Sequence, residues 1–302
     1  MDTIINIAII FISIFFEALP FLLLGSLISS VIERYISDDL MARIIPKNAV
    51  LSSITGIFMG FFLPACDCAV IPVAKRLIKK KVPINVAISF MLSSPIINPV
   101  VLLSTYYAFY NTNPEIFWGR FLIGILVALL IGIIMGILFN KKDVIITNND
   151  ECSCEHDCHI HHEEKKGLKN DILFIVKHTA YDLFDVVKFL MMGALIASFI
   201  QVLLPRSVMT MFNNNNVLSI IVLMLFAYFI SLCSTSDSFV GKSLLSSFTQ
   251  SSILAYLLLG PMIDIKNTII LLGNFKKKFV ITLISLIFVI IFIASLLVVM
   301  LI

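Results

Sequence analysis

The sequence predicts an all-α polytopic membrane protein with about eight spans, arranged as two internal repeats with broken helices. Apolar residues make up 59% of the 302 residues and charged residues 14%, and the mean hydropathy is +1.03. This balance excludes an ordinary water-soluble domain. The net charge of +3 is small, and the lysines and arginines lie in short clusters between apolar blocks. They therefore indicate membrane topology, with the lipid bilayer as partner and no nucleic acid.

Eight apolar segments are long enough to cross a bilayer, which requires about 20 residues each. They lie at about 4–32, 49–74, 84–110, 117–139, 174–204, 217–241, 244–273 and 279–302. The first is expected to be an uncleaved span, because no basic residue precedes it and no small-residue cleavage site follows it. Proline, glycine or serine interrupts several segments, as in residues 93–99 and 259–264. Such breaks are tolerated only where protein or water satisfies the freed backbone groups.

The positive-inside rule gives the expected orientation. Lysine and arginine crowd residues 75–81 and the central segment 141–169, so both are expected in the cytoplasm. Two crossings separate these clusters, and two predicted spans precede the first of them. The N-terminus is therefore expected inside, and residues 33–48 and 111–116 outside. An eight-span count then puts the lysines at 276–278 on the outer face, against the rule. Either one broken segment is re-entrant, or the second half is oriented differently.

The two halves of the chain resemble each other. Residues 17–30 match residues 185–198, residues 95–98 match residues 261–264, and Cys66 falls against Cys233. This order predicts a first membrane repeat at 1–139, a cytoplasmic loop at 140–170 and a second membrane repeat at 171–302. Transporters built from such repeats bind their substrates at the repeat interface, near the bilayer midplane.

Two thiols and a carboxylate interrupt an apolar segment at Cys66, Asp67 and Cys68. On an α-helix the two cysteines would point about 200° apart, whereas on extended backbone they share a face. Pro64 and Pro72 bracket them and disfavour a continuous helix. We therefore expect an extended segment on which the thiols converge, with Asp67 on the other side. The alternative is two buried cysteines that act as small apolar residues.

The second repeat has a polar segment at the corresponding place. Cys233 is expected to add a third sulfur, and the following residues offer oxygen ligands at Ser234, Thr235, Ser236 and Asp237. Sulfur-rich coordination selects soft ions such as Cu⁺, and Zn²⁺ also accepts thiolate. Trivalent arsenic or antimony would suit two or three thiolates as well.

Four further polar residues lie inside apolar segments at matching repeat positions. Asn98 and Asp264 each follow a proline by three residues, where helix ends and unwound carbonyls can bind an ion. Glu17 and Asp185 are candidates for proton coupling, because carboxylates inside membranes commonly relay protons. The alternative for this second pair is a helix cap or an ion-pair partner.

The central loop is rich in thiols and imidazoles. Its candidate ligands are Cys152, Cys154, His156, Cys158, His159, His161 and His162. They exceed what one tetrahedral zinc requires, so the loop predicts binding of Zn or Cu, weaker in acid because the ligands must be deprotonated. No cofactor is expected to be required.

The sequence resembles the permease family that includes the YraQ-type proteins and the ArsP-type organoarsenical exporters. The matching residues are Glu17, Pro20, Gly25, residues 64–68, Pro72, residues 95–99, and 233–237 with Phe239. It is most similar to the branch regarded as copper and zinc efflux transporters, which also carries a cysteine- and histidine-rich loop between its halves. The resemblance implies efflux across a bacterial inner membrane, with Cys66, Cys68 and Cys233 as substrate ligands.

These observations predict a permease that exports soft metal or metalloid ions through a thiolate site at the midplane, and not an enzyme. A homo-oligomer is compatible with this function. The alternative is a thiol-disulfide membrane protein that transfers reducing equivalents through Cys66 and Cys68. A third hypothesis is a metal-binding scaffold that transports nothing and recruits a partner through its loop.

Overall fold

The structure, a computed structural model, describes residues 2–35, 45–46, 48–62, 67–80, 82–110, 112–140, 143–145, 168–203, 216–245 and 247–301. Within these ranges almost every residue is helical, and the β-structure is a single isolated bridge between Ile145 and Phe275. The predicted all-α polytopic fold is therefore confirmed.

The helices follow the same order in both halves of the chain. The first half contains α1 (Asp2–Tyr35), α2 (Ala49–Phe62), α3 (Asp67–Lys79), α4 (Ile84–Ile97), α5 (Pro99–Phe109) and α6 (Pro114–Leu138). The second contains α7 (Leu168–Leu203), α8 (Asn216–Ile230), α9 (Ser236–Leu244), α10 (Gln250–Met262), α11 (Ile265–Asn274) and α12 (Lys277–Leu301). Each half is one long helix, two broken pairs and a helix of 25 residues. This order supports the predicted duplication, while the exact repeat boundaries stay a prediction.

Among the described residues, six segments are long and apolar enough to cross a membrane: α1, α4 with α5, α6, α7, α10 with α11, and α12. The apolar helices α2 and α8 have only 14 and 15 residues. At 1.5 Å per residue such a helix spans about 20 Å, short of the hydrocarbon thickness of about 30 Å.

The pair α2 and α3 forms a hairpin that enters and leaves the membrane on the same side. α2 runs parallel to α4, because Asn85 at the start of α4 donates to the carbonyl of Ala49 at the start of α2 (2.9 Å), and Gly60 late in α2 lies against Ser93 and Ser94. α3 then returns to the level where α4 begins. We call α2 and α3 hairpin 1, and the start of α3 its tip; residues 63–66 lie outside the described residues.

The pair α8 and α9 forms a second hairpin of the same kind. Ser252 near the start of α10 donates to Ser219 near the start of α8 (3.0 Å), so these two helices are also parallel. α9 runs back along α10, with Asp237 accepting a hydrogen bond from Tyr256 and Gly241 packing on Ile253. We call α8 and α9 hairpin 2. It enters from the side where α10 begins.

Polar contacts gather the basic segments on one face. The Lys75 ammonium of α3 donates to Asn274 at the end of α11 (3.1 Å). The Lys276 amide donates to the Val144 carbonyl just after α6 (2.9 Å). The ends of α3, α6 and α11 therefore lie together, and the positive-inside rule makes this face cytoplasmic.

The predicted orientation of the N-terminus is wrong. Asp182 of α7 accepts a hydrogen bond from Ser29 near the end of α1 (3.4 Å) and forms a salt bridge with Arg76 of α3 (2.8 Å). α1 thus ends on the cytoplasmic face and begins on the outer one, and Asn48, just before α2, lies inside rather than outside. The error arose because segment 49–74 was counted as a crossing, whereas it turns back as hairpin 1.

The corrected path also removes the conflict at residues 276–278, which lie on the cytoplasmic face. In the part of the chain that the structure describes, there are six crossings and two re-entrant hairpins. Hairpin 1 enters from the cytoplasmic face and hairpin 2 from the outer face, so the two halves have inverted topology.

Candidate functional site at the hairpin tips

Four helices begin at the breaks in the middle of the protein: α3, α5, α9 and α11. The side chain of Asn98 caps α5 by accepting a hydrogen bond from the Val100 amide (3.0 Å). Asp264 caps α11 by accepting from the Asn267 amide (2.6 Å). Both breaks fall where the prolines predicted them. Part of each side chain is used for capping, and an additional role in binding substrate stays a prediction.

One small cavity brings residues of the two hairpin tips together. It is lined by Asp67 and Cys68 of hairpin 1, Ser231 and Cys233 of hairpin 2, Lys266 of α11, and Ile14, Glu17, Ala18 and Phe21 of α1. The volume open to the centre of a water molecule is about 20 Å³, enough for one water or one ion of similar size. Four of the sequence-predicted site residues, Glu17, Asp67, Cys68 and Cys233, therefore share one cavity.

Asp67 and Cys68 are the first two residues of α3. Asp67 is buried, and its Oδ1 has no hydrogen-bond partner among the described residues. The Cys68 thiol donates to Oδ1 of Asn267 (3.5 Å). Asn267 and Lys266 also interact with the Asp67 carboxylate, so α11 supplies the polar surroundings of this tip.

The expectation of extended backbone at Cys68 is wrong. The break precedes Asp67, so Cys68 is already helical, and Pro72 lies inside α3 as its sixth residue. A proline there removes one hydrogen bond, the one to the carbonyl four residues earlier, and the helix tolerates that loss. Cys66 lies outside the described residues, and its distance from Cys68 stays untested.

The tip of hairpin 2 has strained backbone. Ser231 has a φ of +55° and is the one non-glycine residue with positive φ in the described ranges. Such strain concentrates at functional sites. Cys233 is half-buried, with its Sγ 3.4 Å from Thr235 Oγ1. The other predicted ligands follow at once: Ser236 begins α9, and Asp237 is buried with Oδ2 unpartnered among the described residues.

Sequence reasoning missed Arg120, which is fully buried in α6. Its guanidinium donates to the hydroxyls of Thr105 and Ser238 (2.8 Å each) and to the carbonyl of Ser234 (3.3 Å). It thereby ties hairpin 2 to α5 and α6. The available signal was a charge inside the predicted span 117–139, since a charged residue at that depth is by default a functional candidate.

Sequence reasoning also missed Lys266, although it lies within the predicted span 244–273. It is 5% exposed, and its Nζ lies 3.5 Å from Oδ2 of Asp264. The cavity therefore contains a cation of the protein itself beside the predicted acidic ligands.

Several predicted residues are not tested by the structure. The loop ligands Cys152, Cys154, His156, Cys158, His159, His161 and His162 and the side chain of Asp185 lie outside the described residues. Among the described residues no three His, Cys, Asp or Glu side chains are close enough to hold a metal. A three-thiolate site thus depends on Cys66, as does the thiol-disulfide alternative, and both stay predictions.

Comparison with known proteins decides the family. Residues 3–300 match the model of the ArsP_1 family, whose description is "predicted permease". The chain belongs to this permease family. The resemblance noted in the sequence is thereby confirmed, and the protein is a multi-pass membrane transporter. A permease is not a class of enzyme.

Two relatives align along nearly the whole permease. A Bacillus subtilis (strain 168) protein, UPF0718 protein YcgR, is 40% identical over 290 residues, covering 96% of this chain and 95% of its own. A Streptococcus mutans protein, named as a candidate subunit of a two-component membrane permease complex, is 38% identical over 271 residues, covering 90% of this chain and 87% of its own. No solved structure matches the permease.

Proposed function

We propose that this permease exports soft metal or metalloid ions, such as Zn²⁺, Cu⁺ or trivalent arsenic species, across a bacterial inner membrane. The observation that carries the proposal is the cavity at the hairpin tips, which is lined by Cys68 of one repeat and Cys233 of the other, together with Asp67. Sulfur ligands select soft ions, and the volume of the cavity suits an ion better than a large organic substrate.

The inverted hairpins support alternating access around this site. Cys68 lies on the hairpin that enters from the cytoplasm, and Cys233 lies on the hairpin that enters from outside. If either hairpin moves relative to the remaining helices, the ion is exposed to the face from which that hairpin enters. Repeats of inverted topology commonly provide two such symmetry-related states. Glu17, which lines the cavity and is exposed, and Asp185 are the proposed proton carriers.

The central loop is proposed as a separate metal site for Zn or Cu, outside the membrane. Metal analysis of the purified protein, with and without residues 150–164, tests this part. Loss of one bound metal on deletion, with transport retained, is the expected result. Equal metal content in both proteins would rule out the loop site, and loss of export on deletion would favour a direct role in delivery.

The membrane site is tested by transport in proteoliposomes. Changing Cys68→Ser or Cys233→Ser removes a soft ligand while the volume stays nearly constant. We expect the affinity for the ion to fall about tenfold or more, which corresponds to about 1.4 kcal/mol. Ser13→Ala serves as the matched control, because Ser13 is exposed on α1 and donates its hydroxyl hydrogen bond to the Ile9 carbonyl of its own helix. Unaltered transport of Zn²⁺, Cu⁺ and arsenite by both cysteine variants would overturn the proposal.

A further inference from the structure

The cavity at the hairpin tips already contains a positive charge from the protein. The Lys266 ammonium lines it together with Asp67, Cys68 and Cys233, and lies 3.5 Å from Asp264. Asp67 and Asp264 each have one carboxylate oxygen with no hydrogen-bond partner among the described residues. The ammonium is thus paired with Asp264 and shares the cavity with the Asp67 carboxylate.

A purely structural role explains this lysine poorly. Lys266 is the second residue of α11, where the positive end of the helix dipole disfavours a cation. A cation at this depth costs ~2.5–3.5 kcal/mol even on the mild insertion scale, and a buried ion pair often adds no stability over apolar side chains. Asp264 does not need it to cap α11, because the Asn267 amide fills that role.

The backbone of Lys266 is held against α7, whereas its ammonium stands at the end of a long stem. A Cβ at Gly193 of α7 would lie 3.0 Å from Lys266 Cα, so the two helices are in backbone contact here. The four-carbon stem of lysine carries its ammonium as a mobile point charge. The ammonium can therefore leave the carboxylates without any movement of α11.

We propose that Lys266 is a built-in substitute for the transported cation, an inference that rests on the proposed function. With no ion bound, its ammonium neutralises Asp67 and Asp264. An arriving soft cation displaces the ammonium and takes over the same carboxylates beside Cys68 and Cys233. The space of about 20 Å³ adjoins the ammonium, and two cations this close in a buried site repel each other strongly, so the ion and the ammonium compete for the carboxylates.

This substitution determines which state of the carrier can change conformation. Moving two uncompensated carboxylates through a low-dielectric barrier is costly. The loaded protein changes conformation with the bound ion as counter-charge, and the empty protein changes conformation with the Lys266 ammonium as counter-charge. Net transport requires the conformational change of the loaded protein and that of the empty protein. Exchange of an ion on one side for an ion on the other requires only that of the loaded protein.

The test compares these two fluxes in proteoliposomes with radioactive Zn²⁺ as the probe and Cu⁺ as a further cation; arsenite, which is uncharged As(OH)₃ at neutral pH, is a probe of the proposed function alone. For Lys266→Met we expect the ratio of net flux to exchange to fall about tenfold, equivalent to a barrier about 1.4 kcal/mol higher for the empty carrier. Lys266→Arg keeps a cation and is expected to restore most of the ratio. Lys242→Met is the control, because Lys242 is an exposed lysine of α9 and its loss leaves the ratio unchanged.

The outcomes separate this inference from the proposed function. Equal losses of both fluxes in Lys266→Met, or an unchanged ratio, would overturn the role of Lys266 alone. If the wild-type protein moves none of the three ions, both proposals fail. If Lys266→Met is too unstable to reconstitute, Zn²⁺ binding is measured in detergent instead. Lys266→Met is expected to bind Zn²⁺ more tightly than the wild type, since the competing ammonium is gone. Weaker binding would contradict the inference.

Discussion

At the scale of single residues, the buried guanidinium of Arg120 holds hairpin 2 in place. Its loss would remove a charged donor from the Thr105 and Ser238 hydroxyls and from the Ser234 carbonyl, and would leave buried Asp237 without the cation that acts on it. Removing one partner from such a buried network costs about 3–5 kcal/mol. We therefore expect Arg120→Met to lower the unfolding temperature in detergent markedly, as measured by light scattering or intrinsic fluorescence.

Two comparisons make the Arg120 prediction specific. Lys242→Met removes a cation from the exposed face of the same hairpin and is expected to stay within about 0.5 kcal/mol of the wild type. Adding Asp237→Asn to Arg120→Met removes the buried charge that the first change isolates, so the double variant is expected to be more stable than Arg120→Met alone. If the two changes are simply additive, Arg120 and Asp237 are not coupled.

The polar residues of the cavity could be predicted from the sequence because they break apolar runs. Asp67, Cys68 and Cys233 stand out on those grounds, and the structure places all three at one cavity. Lys266 and Arg120 stand in apolar runs too, but their partners come from other helices, and one-dimensional patterns do not show which helices meet. For Cys68, the proline spacing predicted the break in the helix correctly but not on which side of the break the thiol lies.

At the scale of helices, close contact between Gly25 of α1 and Ala69 of α3 fixes α1 against hairpin 1. A Cβ at Gly25 would lie 2.7 Å from Ala69 Cβ and 2.9 Å from the Ala69 carbonyl, so α3 would have to move. Gly25→Ala is expected to cost about 1–3 kcal/mol and to slow transport, because α1 and α3 both line the cavity. Gly119→Ala is the control: its Cβ would meet only the rotatable side chain of Leu254 at 3.1 Å. Similar losses of unfolding temperature in both would show that close backbone contact at Gly25 is not decisive.

Hydropathy located every membrane segment but not the direction in which each one runs. Residues 49–74 and 217–241 are apolar enough to be read as crossings, and each instead contains a short helix that returns along its neighbour. The turn is recorded only in contacts between distant residues, such as the bond between Asn85 and Ala49. Helix breaks were therefore predictable from the sequence, whereas the re-entrant path was not.

At the scale of the whole molecule, a path with two re-entrant hairpins and a path with eight full crossings predict different chemical labelling in intact cells. The structure places Asn48 and Lys278 on the cytoplasmic face and Thr112 on the outer one, whereas eight full crossings would expose Asn48 and Lys278 outside. In a background with the native cysteines replaced by serine, we expect a membrane-impermeant maleimide to label Thr112→Cys in intact cells. Asn48→Cys and Lys278→Cys are expected to react only after permeabilisation. Labelling of these two positions in intact cells would refute the re-entrant hairpins. It would also refute the shared cavity of Cys68 and Cys233, because that cavity requires one hairpin from each face.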